Sequence, residues 1–154
     1  MGRFEWQGID DPNRTDLAFL SLGTDRMTGH GTSLCDAYAL SWALDVGPGW
    51  VTRSLQASVF GRKWSRSLVL IRDERGSWTA STRSDGDVDL PSPGLSDPYS
   101  VQGAIDCDLG LCPVTNTMPI RRLGLLSGGV PETPLVMAWI DVPSLRVIRS
   151  DQVY

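Results

Sequence analysis

The chain is poor in the side chains that announce catalysis or metal binding. It holds one histidine and three cysteines in 154 residues. The histidine, His30, stands between Gly29 and Gly31, and nothing resembling a Gly-x-Ser-x-Gly elbow, a phosphate-cradling glycine loop or a His-Glu zinc helix accompanies it. It reads as a surface residue. Cys35, Cys107 and Cys112 are an odd number in a chain long enough to need no disulfide staple. They read as reduced, buried thiols, with a Cys107–Cys112 bridge as the alternative. Without further histidines or a Cys-x-x-Cys pair, the spaced ligands of a zinc site are missing, so no metal and no cofactor is expected.

A surplus of positive charge is also lacking. The formal net charge is -4, and the arginines are scattered instead of striped, which leaves no electrostatic footprint for nucleic acid or an anionic membrane. No apolar run approaches the length that spans a bilayer. The opening Met-Gly-Arg-Phe-Glu-Trp has neither a basic, apolar leader nor the Ser or Thr of a myristoylation motif. The expectation is a cytoplasmic chain without stable membrane insertion.

What is present suits one β domain over residues 1–154. The 41% apolar content suffices for a single core. From Ala37 to Leu44, small residues alternate with Tyr38, Leu40, Trp42 and Leu44, the period of a strand with one bulky face. After the turn Asp45–Gly49, Trp50 to Gly61 returns with Val51, Leu55, Ala57 and Val59 on one side and Arg53 among them. An inward arginine needs an anion, which makes Arg53 a candidate ligand contact. Lys63 to Arg72, with Trp64, Leu68 and Leu70 on one side and Val69 and Ile71 on the other, and Ser77 to Ser81 extend a meander that can curl across a ligand. Arg3 to Ile9 predicts an opening strand, whereas Asp16 to Leu22 is apolar on both alternations and fits a strand or a short helix. Leu135 to Val142 predicts an interior strand and Arg146 to Tyr154 a closing one. The polar, proline-broken stretch 83–103 predicts a flexible loop, either a lid or a tolerated surface insertion.

The densest chemistry lies between Ile105 and Leu126, where Asp106, Asp108, Arg121 and Arg122 sit among apolar residues. Charges drawn partway into a core must be paired, and the four are expected to pair with one another, Thr115-Asn116-Thr117 satisfying loose backbone groups and Pro119 starting a short helical turn. The run Pro-Val-Thr-Asn-Thr-Met-Pro-Ile-Arg-Arg-Leu (Pro113 to Leu123), preceded by Asp106-x-Asp108, resembles the signature of the Putative glycolipid-binding family, long carried as a domain of unknown function. An aromatic opening near Trp6 and a closing Gln152-x-Tyr154 are similar to that family as well. The resemblance implies a mainly β, curved antiparallel roll or partial barrel, similar to the lipoprotein localisation factors, whose concave apolar face holds a lipid.

The expected function is therefore a non-enzymatic binding protein for an amphipathic molecule, a glycolipid or related lipid. Each buried methylene of its tail is worth about 0.8 kcal/mol. Arg53, Arg121 and Arg122 are the candidate head-group contacts, with Trp64, whose indole face suits a sugar, and Asn116 completing the ligand-binding set. Asp106 and Asp108 are read as partners of the arginines and not as ligands of a divalent ion. Two alternatives stand beside this reading: a protein-interaction scaffold with a self-filled core, and a small hydrolase-type enzyme using Asp106 or Asp108.

Overall fold

A computed structural model describes residues 1–154 as two sheets around one core. The first is a wholly antiparallel seven-stranded meander: β1 (Gly2–Gln7), β2 (Thr15–Leu22), β3 (Met27–Leu34), β4 (Ala39–Gly47), β5 (Val51–Phe60), β6 (Ser65–Arg72) and β7 (Trp78–Asp85), in that spatial order. The second comprises β8 (Gly94–Leu95), β9 (Asp106–Leu109), β10 (Pro134–Ile140) and β11 (Arg146–Val153), ordered β8-β11-β10-β9. Here β9 runs parallel to β10 and β8 parallel to β11, while β10 and β11 are antiparallel. The mainly β, curled, mostly antiparallel architecture is the expected one.

Side-chain alternation builds the large sheet. Leu40, Trp42, Leu44 and Val46 of β4 are buried while Ser41 and Ala43 face water. The ambiguous 16–22 segment is a strand: Asp16, Ala18 and Leu20 point inward, and Phe19 stacks on His30 across the outer face at 5.5 Å. The sequence gives little sign of β3, because two of its inward positions are glycines, which erase the hydrophobic alternation. They are small because the Trp42 indole lies over them; a Cβ on Gly31 would sit 2.6 Å from Trp42 Cζ2.

One bulge corrects an expectation. Asp45 pairs with Ser54, but Val46 pairs with Thr52, so Arg53 is the extra residue of β5. The bulge reverses the inside–outside parity at this point: Thr52 is buried and Arg53 is exposed. Arg53 needs no buried anion.

The stretch 83–103 is more structured than a loop. Its first residues continue β7, β8 pairs with β11, and a 3-10 turn over Pro98–Val101 is capped by Asp97 and buries Val101. Buried Arg66 of β6 holds the segment down, donating to the carbonyls of Leu90 (3.2 Å), Pro91 and Ser144 (3.0 Å).

The second sheet lies against the inner face of the first. Cys107 N donates to Thr52 Oγ1 at 3.3 Å, Trp78 Nε1 to the Ala104 carbonyl at 3.0 Å, and Arg14 to the Leu111 carbonyl. Leu55, Leu68, Leu70 and Trp78 of the large sheet therefore share a core with Leu109, Met118 and Ile140. Over most of its width the concave face is filled by the chain itself. At the β1–β2 end the cover is thin, leaving Phe4 43% and Leu22 47% exposed. No helix is long and apolar enough to cross a membrane.

Candidate ligand-binding site

The central block folds as β9, a 3-10 turn over Pro113–Asn116 and the single α-helix, α1 (Thr117–Arg122). Asp106 is fully buried. Its carboxylate is met in parallel by Arg122, Nη1 to Oδ1 at 2.9 Å and Nη2 to Oδ2. Arg122 Nη1 also donates to the Trp50 carbonyl at 3.1 Å, and Trp50 N donates to the backbone carbonyl of Asp25 at 2.9 Å. One guanidinium thus joins β9, the helix and the β4–β5 connection, where Trp50 holds a left-handed backbone (φ 60°). Burial pushes the Asp106 carboxyl above its ordinary range, and the hydrogen bonds and charge of Arg122 pull the other way.

The expected four-charge cluster is only half formed. Asp108 has no cationic partner: Oδ1 lies 2.8 Å from the Thr115 hydroxyl and Oδ2 accepts from Gln152 Nε2 at 2.8 Å. The Thr115 hydroxyl is also 2.8 Å from the Cys112 carbonyl, so one proton serves two acceptors. The helical turn sends Arg121 and Arg122 in different directions, and Arg121 lies over the Trp50 ring at 5.8 Å without entering any ion pair. Asn116 makes no side-chain cap; its Oδ1 accepts from the Tyr154 hydroxyl at 2.8 Å. Burial and the nearby charges of Asp108 and Asp106 push the Tyr154 phenol up to about 12. The closing Gln152-x-Tyr154 therefore docks on the central block.

Two clefts flank this block. A groove of about 380 Å³ runs between the β1–β2 hairpin and α1, floored by Phe4, Trp6, Leu20, Leu22 and Val114, with Arg121 on its rim. Trp6 borders both this groove and the depression over β1–β3, and its Nε1–H is buried without a partner, an omission that ordinarily costs about 1–3 kcal/mol. A second cleft of about 340 Å³ is bordered by Asp108, Gly110, Leu111, Asn116 and Trp139. Pro113 borders both. A further depression, about 630 Å³, lies over β1–β3, where Trp6, Gln7, Thr15 and Thr32 line it, and contains no residue of the central block.

The family model described as "Putative glycolipid-binding" matches residues 3–154. The chain belongs to that family. A crystal structure of a DUF1089 family protein from Pseudomonas aeruginosa is similar to it, with a TM-score of 0.66 and 26% identity over 97% of this chain and 73% of that one. A search of curated proteins returned no match.

In this member of the Putative glycolipid-binding family the candidate residues are partly dispersed. Arg121 borders the groove, Asn116 borders the second cleft, and Arg122 is committed to Asp106. Trp64 precedes β6 and lies against Gly61, whose Cβ would meet its Nε1 at 2.1 Å; it borders neither cleft, and neither does Arg53. Phe4, Leu22 and Trp139 were not singled out from sequence, since an inward apolar residue at the uncovered end of a sheet carries the same signature as one in the core.

Proposed function

We propose that the protein binds an amphipathic molecule, a glycolipid or related lipid, without transforming it, the apolar tail lying in the groove between the β1–β2 hairpin and α1. The observation that carries this reading is the uncovered end of the inner face, where Phe4, Trp6, Leu20 and Leu22 line one groove. Arg121, which enters no ion pair, offers a cation to an anionic group. The family's description as glycolipid-binding supports the ligand class. The burial of Asp106 and its full use by Arg122 support a non-enzymatic role. Titration with an 11-carbon fatty acid bearing a dansyl group tests it. One-to-one, saturable enhancement of dansyl fluorescence is expected; no saturable uptake of either this probe or a neutral long-chain alcohol overturns it.

A second reading has its own support. Because the second sheet fills most of the concave face, the domain also suits a protein-interaction scaffold, which would take up neither amphiphile.

A further inference from the structure

The groove accounts for a tail but offers little to a head rich in hydroxyls. A pyranose presents a flat C–H face and a ring of vicinal hydroxyls, and its recognition calls for an aromatic platform with a fixed acceptor and donor beside it. We propose that the cleft bordered by Asp108, Asn116 and Trp139 is the subsite for an uncharged sugar, so that one ligand straddles the Pro113–Asn116 turn. This rests on the tail-groove reading above and assigns the other half of the same molecule.

Each part is positioned by the fold. Trp139, on β10, is half-buried and stands against Gly110, where a Cβ would approach its Cζ2 to 3.4 Å. Asp108 is held by two neutral donors, Thr115 and Gln152, one to each oxygen. Each carboxylate oxygen keeps a further lone pair. The Tyr154 hydroxyl occupies Asn116 Oδ1 and thereby sets the amide, leaving Nδ2 as the donor. A carboxylate and an amide side by side match two adjacent hydroxyls, one donating and one accepting. With no cation on Asp108, an anionic sugar is disfavoured. Leu111 on the rim holds a left-handed backbone (φ 64°), its carbonyl fixed by buried Arg14, so the border is built and not loose. The volume, about 340 Å³, falls at the small end of ligand pockets. Pro113 places it next to the tail groove.

The indole N–H resonances of Trp6 and Trp139 report the two halves separately in a ¹⁵N-labelled full chain, once assigned with Trp6→Phe and Trp139→Phe. Methyl gluco-, galacto- and mannopyranosides are expected to move Trp139 saturably, with Trp6 unmoved for at least one of them. Octanol is expected to move Trp6 alone, and octyl β-glucopyranoside both. Asn116→Asp keeps the acceptor for Tyr154 but removes the free donor; it is expected to weaken glycoside binding about tenfold and leave octanol unchanged. A Trp139 signal that ignores every glycoside overturns the sugar subsite, as does an Asn116→Asp variant that weakens octanol as much as glycoside. A Trp6 signal that ignores both octanol and octyl glucoside overturns the groove instead, and the Trp139 response still decides the subsite.

Discussion

Replacing Phe4 by serine separates what the groove contributes to binding from what it contributes to folding. An aromatic side chain presents about 150–250 Å² of surface, and Phe4 leaves 43% of its own uncovered. A tail lying over that ring removes roughly 65–110 Å² from water, about 2 kcal/mol at about 25 cal/mol per Å². The variant should therefore bind the dansyl fatty acid about thirtyfold more weakly. The already covered part of the ring supports the fold and costs about 2–3 kcal/mol of unfolding free energy at most, since an extended reference chain overstates burial. Phe60 is the control. It is 57% exposed but sits at the end of β5 and borders neither cleft. Phe60→Ser should cost less stability and leave the dissociation constant unchanged. Fluorescence titration and urea unfolding of the three proteins read both quantities. A folded Phe4→Ser protein with natural affinity, or equal weakening in Phe60→Ser, would refute the reasoning.

Three further outcomes follow from the same geometry. Arg122→Met should cost about 3–5 kcal/mol by leaving a buried carboxylate unpaired; urea midpoints measured across pH check it. Burial then raises the Asp106 pKa further, with only the charge of Arg72 still opposing it, and stability from a raised carboxyl is present below its unfolded pKa and lost as pH rises through the folded one. The variant should thus be firmest in acid and weaken toward neutrality more steeply than the natural chain. Toward thiol reagents, half-buried Cys35 should react in the native state, while Cys107 and Cys112, both buried and the latter pushed up to about 12, should wait for unfolding. Burial also pushes Tyr38 and Tyr154 up to about 12; stability they contribute is intact below the ordinary phenol pKa and lost as pH climbs through about 12. Tyr154→Phe should flatten that alkaline loss, read by circular dichroism.

The meander was legible because β4 keeps its large residues on one face and short turns separate the strands that follow it, a pattern that survives without any tertiary information. β3 was not, because its inward glycines answer to Trp42 on the neighbouring strand and not to their own periodicity. Arg53 shows the reach of a single bulge: one extra residue turned an inward arginine outward. In the central block a buried acid–arginine pairing was readable, since charges embedded in apolar sequence must meet something. Which arginine and which aspartate was not readable, because that depends on the helical turn that separates Arg121 from Arg122. The stretch 83–103 read as irregular because what organises it, Arg66, lies on a distant strand.

The most direct test of the tail groove is photo-crosslinking with an amphiphile carrying a diazirine at the end of its alkyl chain, followed by peptide mapping. Labels confined to the β1–β2 hairpin and the Pro113–Arg122 segment are predicted. Labels spread over the outer face of the large sheet, or none that a long-chain alcohol competes away, would contradict the account.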